Sequence, residues 1–306
     1  MFGYILRRLL ALVPILLGVS MIIFVMMRMV PGDPARQALG PEATGDEVAL
    51  LRKQWGLDRP IPVQYVLWLE RALHGDFGRS TVSRVPASTE IWARFPATLK
   101  LTAASMVVAV LIGLVSGVIA AVRHNTLIDR SSMVVALLGV CTPSFWLGLM
   151  LMLLFSVELG WLPSFGQGGI SHLVLPALTL GTGASAIIAR VTRSSMLEVF
   201  SEDYIRTARA KGIVERTVIV RHALKNALIP IITVLGLEFG GLLAGAVVTE
   251  TVFAYPGIGL LLVNSINNRD FPIVQGALLL FAFQFVLVNL IVDVIYARVD
   301  PRISYS

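Results

Sequence analysis

Few side chains in this 306-residue chain are placed to do chemistry. The histidines His74, His124, His172 and His222 are scattered without metal-ligand spacing, and no Gly-x-x-x-x-Gly-Lys-Ser/Thr phosphate loop or Gly-x-Ser-x-Gly elbow occurs. The single cysteine, Cys141, sits in an apolar run and reads as a packing residue, which leaves no disulfide or thiolate cluster. Two features remain. Glu238 is a carboxylate about ten residues, roughly 15 Å, inside an apolar run. Such a group is costly in lipid unless paired or wetted. It suits a cationic group of a solute, an arginine of a neighbouring helix, or the wall of a water-filled vestibule. The second feature is the polar stretch 201–212 between two apolar runs. It reads as a short surface helix with Ser201 as N-cap, Glu202 and Asp203 near its positive end, and Gly212 ending it in a left-handed turn. A rigid helix of this kind does no chemistry. It is a handle through which another protein could move the membrane part; with no hydrolytic motif in the chain, energised transport, if it is the function, must draw on a partner or an ion gradient.

The elements that position these residues are membrane spans. Hydrophobic residues make up 56% of the chain and the mean hydropathy is +0.79, well above a soluble domain. The runs 9–29, 101–122, 133–157, 173–189, 227–249 and 273–297 are long enough, or nearly so, to cross a hydrocarbon layer of ~30 Å, which predicts an all-α polytopic protein with six spans. The fourth is the shortest, interrupted by Pro176, Gly181 and Gly183. Residues 9–29 exceed the apolar core of a signal peptide and lack a small-x-small cleavage site, so they read as a retained span.

The net charge of +6 is distributed as a membrane protein distributes it, not as a nucleic-acid binder does. Arg7 and Arg8 precede span one, Arg123 and Arg130 lie between spans two and three, and Arg298 and Arg302 follow span six. Eight more basic residues lie between Arg190 and Lys225, whereas the loops 158–172 and 250–272 hold only Arg269 among Lys and Arg. The positive-inside rule predicts cytoplasmic termini and a cytoplasmic 190–225 loop.

Residues 30–98 form an external segment between spans one and two. Helical patterning over 46–55 and 62–74, and a third short helix over 88–95, predict a small folded cap, with Trp55, Trp68 and Trp92 as interface anchors. It serves either as a structural lid or as a contact for a delivered solute or docking protein. The pairs Gly113/Gly117, Gly236/Gly240 and Gly241/Gly245 fit close helix packing in lipid. The alternative is that span five, with Glu238, Gly240 and Gly241, lines a translocation path. Asp293, near the inner end of span six, is placed to snorkel or to pair with a basic loop residue. After span five, Pro256-Gly257 predicts a turn in an external loop that also holds Glu250, Phe253 and Gly259.

Arg206-Thr207-Ala208-x-x-x-Gly212 occupies the slots of the Glu-Ala-Ala-x-x-x-Gly signature of bacterial ABC importer permeases, and residues 204–212 resemble its peptide-transporter version. His222-Ala223-Leu224-Lys225-Asn226-Ala227-Leu228-Ile229-Pro230, Glu250-x-x-Phe253-x-x-Pro256-Gly257-x-Gly259, Pro31-Gly32-Asp33-Pro34 and Gly75-Asp76-Phe77-Gly78 are similar too, so the resemblance runs through the whole chain. Within the dipeptide/oligopeptide/nickel permease family, residues 201–204 and 158–163 are most similar to glutathione permeases. Two positions depart from the general signature: Arg206 replaces its Glu, and Leu224-Lys225 stands at its Leu-Pro slot.

The resemblance implies a type I ABC importer membrane domain with an external insertion, organised as residues 1–29, a cap at 30–98 and a five-span core at 99–306. It implies residence in a bacterial inner membrane. The expected partners are a second homologous permease, two ATPase subunits carrying ATP and Mg, and a periplasmic or lipid-anchored solute-binding protein. No cofactor is expected on this chain and it is not an enzyme. The expected cargo is glutathione or di- and oligopeptides. Tyr204, Arg206, Thr207, Ala208, Arg209, Lys211 and Gly212 would form the ATPase-coupling helix, with Ala208 permitting close approach and Arg206, Arg209 and Lys211 offering charge pairs. Glu250, Phe253, Pro256, Gly257 and Gly259 would form an external gate. An ion-coupled carrier or channel is the alternative that six spans and an intramembrane carboxylate also allow.

Overall fold

The structure is a computed structural model that describes residues 2–30, 32–40 and 42–299. Its elements, in order, are α1 (Phe2–Met29), α2 (Pro34–Leu39), α3 (Gly45–Trp55), α4 (Ile61–Leu73), α5 (Ala87–Val122), α6 (Leu127–Cys141), α7 (Ser144–Met152, continued by wider π turns over Leu153–Glu158), α8 (Ser171–Phe200), α9 (Asp203–Ala210), α10 (Glu215–Thr217, followed by π turns over Val218–Leu224), α11 (Lys225–Val252), α12 (Ile258–Asn267) and α13 (Phe271–Val299). Among the described residues, the β structure is one isolated antiparallel bridge, Arg79 to Pro86.

Among the described residues, five helical stretches are long and apolar enough to span: Leu10–Met29, Ala87–Val122, Ser171–Phe200, Glu215–Val252 and Phe271–Val292. The predicted third span is instead two helices, Leu127–Cys141 and Ser144–Glu158, bent by 102°, and it is a sixth crossing only if the bent pair counts as one. Pro143 is the cause. A residue before proline is pushed out of the helical region, and Thr142 lies at ψ 123°. Cys141, expected inside the span as a packing residue, is exposed at this break. The fourth span, expected to be the shortest, runs 30 residues and buries Leu175, Gly181, Ile188 and Met196. It continues through Arg190 and Arg193, residues assigned from the sequence to the following loop. Residues 88–95 are the first turns of α5 rather than a separate helix.

The chain divides into two compact units: Met1–Ala97 with Pro256–Val286, and Thr98–Tyr255 with Leu287–Ser306. In the first unit the segment between α1 and α5 is fastened to the long apolar helices. Tyr65 and Trp68 of α4 pack on Phe24 of α1, with ring centroids 5.5 and 5.6 Å away, and the Tyr65 and Ser20 hydroxyls share a 2.8 Å hydrogen bond. The Trp68 indole donates to Gln275 of α13 at 3.0 Å. Trp68, expected as an interface anchor, is thus buried. Asp270, also buried, accepts from the Ser80 hydroxyl and, at 3.1 Å, from the Thr81 N–H. At the start of the cap, Asp33 accepts from the Ala35 N–H at 3.1 Å and pairs with Arg52 at 2.9 Å, while its neighbour Pro31 lies outside the described residues.

In the second unit α8 packs against α11, α6 and α7, and it meets α5 at close range. A Cβ on Gly113 would fall 2.6 Å from the Ser185 carbonyl oxygen, and one on Gly117 would fall 2.6 Å from that of Ala189. Gly181 returns the contact, its Cβ position 2.6 Å from the Ser105 carbonyl. The backbones touch because no side chains keep them apart, which is how small residues associate helices where lipid supplies no hydrophobic drive. Gly113→Ala and Gly117→Ala are therefore expected to lower the thermal midpoint of the purified protein, each by an overpacking cost of about 1–3 kcal/mol. Gly183→Ala, whose Cβ meets nothing within 4 Å, should not lower it and should raise it slightly, because alanine is the better helix former.

Candidate functional site

The polar stretch folds as α9, eight residues bearing Asp203 in the first turn and Arg209 in the last. Ser201 does not cap it. Ser201 closes the preceding helix instead, donating its hydroxyl to the Glu198 carbonyl at 2.6 Å, and Glu202 occupies the N-cap without a side-chain hydrogen bond. The far end is as expected. Gly212 adopts φ +72°, the Gly212 N–H donates to the Arg209 carbonyl at 2.9 Å and the Ile213 N–H to that of Ala208 at 3.3 Å. This paired closure needs a left-handed residue at position 212.

Only Ile205 and Ala208 of α9 are buried, one turn apart on one face. They enter a cluster with Met196 of α8, Val218 and Ala223 of the π turns, Ala227 and Ile231 of α11, and Ala121 of α5. Every other residue of the helix is exposed. The small side chain of Ala208 lets the helix approach the chain's own core closely. Two polar ties hold the edges. Asn226 donates to the Tyr204 hydroxyl at 3.0 Å and to the His222 carbonyl at 2.7 Å. Arg209 makes a two-pronged bond to Glu215 at 2.7 and 3.2 Å and lies 5.4 Å from the Phe200 ring centroid. It is engaged within the chain, whereas Arg206 reaches only Asp203 at 3.4 Å, with both side chains in solvent. Thr207 and Lys211 complete the outward face. Beside the helix, His124, Leu197, Phe200, Ser201, Arg209 and Glu215 help to line an open cleft of about 390 Å³.

Sequence reasoning missed the charged pair that ties α6 to α8. Arg193 donates through Nε and Nη2 to the two carboxylate oxygens of Asp129 at 2.6 and 2.8 Å, and the Asn125 N–H adds a third bond at 3.0 Å. Asp129 is 2% exposed. The signal was present as an arginine seven residues before the end of a helix, but it is legible only once that helix is known to reach Phe200.

Glu250 and Phe253 do not sit in a free external loop. Glu250 lies in the last turn of α11, fully buried, and accepts from the Thr98 hydroxyl at 2.6 Å. Phe253 is buried where a side chain on Gly148 of α7 would meet its ring at 3.1 Å. The sharp turn falls at Ala254, φ +45°, rather than at Gly257, which adopts φ −96° and leads into α12 with Gly259 buried behind it. Pro256 is half-buried between them. On α11, Glu238 is half-buried and makes no hydrogen bond or ion pair among the described residues; Gly241 is exposed with open space at its Cβ position, and Gly240 is buried. Gly236 packs against Val292 of α13. The side chain of Asp293 lies outside the described residues.

This helical architecture is similar to the inward-facing MetNI methionine ABC transporter, with a TM-score of 0.58 at 21% identity over 69% of this chain and 96% of that one. An amino acid ABC transporter with histidines gives a TM-score of 0.55 at 17% identity, over 69% and 94%. The fold is that of a type I ABC importer membrane subunit. Residues 113–305 match the family described as the binding-protein-dependent transport system inner membrane component, and residues 1–102 match the corresponding N-terminal family. Over all 306 residues, covering 100% of both chains, the sequence is 50% identical to the glutathione transport system permease protein GsiC of Salmonella paratyphi A and to that of Escherichia coli (strain K12). The chain belongs to this family and is a multi-pass inner-membrane permease subunit of a binding-protein-dependent ABC importer. The ion-coupled alternative is thereby set aside.

The anchoring of α9 is directly testable. Ile205→Ala leaves a cavity under the helix at a cost of about 2–4 kcal/mol. Limited trypsin digestion should then cut faster at Arg206, Arg209 and Lys211 than in the parent protein.

Proposed function

We propose that this permease moves glutathione or other short peptides inward after delivery by a periplasmic or lipid-anchored solute-binding protein. It works beside a second, homologous permease and above two ATPase subunits, which hold ATP and Mg. The reading of the cargo is supported by the name of the relatives at 50% identity over the full length. The basic residues around α9 support a cytoplasmic position for this helix and for both termini.

The observation that carries the mechanism is the division of α9 into two faces. Ile205 and Ala208 are set in the protein's own core, while Tyr204, Arg206, Thr207, Arg209 and Lys211 are presented outward. A helix built this way does not slide on its base. Pushed from outside by ATPase subunits closing on ATP, it carries the ends of α8 and α11 with it, and the cavity turns outward; hydrolysis lets it return. This is rigid-body alternation, with the permease transmitting work it does not generate. Glu238 and Gly241, on the open part of α11, line the path.

Gly212→Val tests this reading. A β-branched residue at φ +72° costs roughly 1–2 kcal/mol in the left-handed region and reopens the helix end. In the reconstituted importer, ATP hydrolysis stimulated by loaded binding protein should fall by on the order of tenfold. Unchanged stimulation in a fully assembled complex contradicts the coupling role of α9.

A further inference from the structure

The Asp129–Arg193 pair, with its carboxylate buried and its guanidinium half-buried, is more than α6 and α8 need in order to pack. Helix contacts in lipid are made at least cost by small and apolar side chains, as Gly113, Gly117 and Gly181 show where α5 meets α8. A carboxylate withdrawn from water, as that of Asp129 is, costs free energy that its partner must offset, and the Arg193 guanidinium does so while keeping about a quarter of its side chain in solvent. What such a pair provides is fixed geometry. The two parallel bonds at 2.6 and 2.8 Å admit one relative orientation of the groups, and the Asn125 N–H holds the same carboxylate at the turn that starts α6.

Its position says which parts it fixes. Arg193 lies two turns before the end of α8, and the last turn of that helix carries Phe200, which faces Arg209 of α9. One turn after Arg193 comes Met196, in the cluster that receives Ile205 and Ala208. The base of α8 therefore has α9 clamped to it on one side and, through Arg193, the start of α6 on the other. Across the bend at Thr142-Pro143, α6 leads into α7, where Gly148 lies against Phe253.

We propose that Asp129 is a positioning residue for transport: held by Arg193, it makes α6 move with the base of α8, so that force received at α9 reaches α6 instead of being lost in slippage between the helices. The proposal rests on the coupling role of α9. Loss of the pair leaves ATP binding and hydrolysis on the partner subunits intact, and lowers the uptake obtained for each ATP consumed.

The test uses the complete importer reconstituted in liposomes with its ATPase and solute-binding partners. Uptake of radiolabelled glutathione and ATP hydrolysis are measured together for Asp129→Asn, for Arg193→Lys, which keeps the charge but loses the two-pronged bond, and for the exchange Asp129→Arg with Arg193→Asp. The two single variants should lose on the order of tenfold in uptake per ATP, and the exchange should recover a large part of it. A solute-independent measurement accompanies this: alkylation of Cys141, exposed at the end of α6, by N-ethylmaleimide in nucleotide-free and vanadate-trapped complexes. The difference in labelling rate between the two states should be present in the parent and absent in Asp129→Asn. Proportional loss of uptake and hydrolysis, an unchanged ratio, or a Cys141 rate that ignores nucleotide in the parent overturns the proposal. Gly212→Val run in parallel separates the two claims: if it uncouples while the Asp129 variants do not, the pair alone is wrong, and if it leaves coupling intact, the role of α9 fails first.

Discussion

The insertion of Ile205 and Ala208 into the cluster formed by the ends of α8 and α11 is the contact on which the existence and placement of α9 depend. Eight residues are too few to be helical alone in water, because nucleating a helix is costly and short helices are marginal. Tertiary burial of one face makes α9 a helix, and the same burial makes it part of the membrane body. The Schellman closure at Gly212, the Asn226 bond to Tyr204 and the Arg209–Glu215 pair then fix its rotation and both its edges. Each is exposed to solvent and contributes little energy by itself. Together they remove the freedoms that the two buried side chains leave.

Above this base, the structure uses two kinds of helix contact with different mechanical character. Where α5 crosses α8, glycines bring the backbones together so closely that a single methyl group does not fit. Where α6 meets α8, two charges meet in one geometry. The first contact seats Ile188 and Thr192 of α8 against Gly113 and Gly117; the second adds a directional bond. A bundle that must change shape without coming apart needs both, since close packing supplies cohesion and the directional pair supplies alignment.

The sequence made some of this legible and concealed the rest for identifiable reasons. The end of α9 could be read because Gly212 is the residue type a left-handed helix end requires. Its beginning was misplaced because hydropathy falls at Ala189 while α8 continues through polar turns to Phe200, so Ser201, a good N-cap by type, was taken for the start of α9 when it is the end of α8. The break in the third span was written in Thr142-Pro143, but the apolar run on either side outweighed it. Glu250 was assigned to a loop because a charged residue near Pro256-Gly257 looks external. Its partner, Thr98, lies 152 residues earlier, and no local pattern points to a contact of that separation. The same holds for Asp129 and Arg193, 64 residues apart. Periodicity and turn chemistry reveal elements; they do not reveal which polar groups meet between elements.

If α9 is a rigid extension of the membrane helices rather than a hinged arm, spin labels will show it: they are placed on the outward face of α9 and on exposed positions of α8 and α11 within one permease, and read by double electron–electron resonance in nucleotide-free and vanadate-trapped importer. The expected result is that distances within the chain stay constant while the distance from α9 to its counterpart in the companion permease shortens. A swing of α9 relative to α8 between the two states, at constant separation of the membrane helices, would contradict the account.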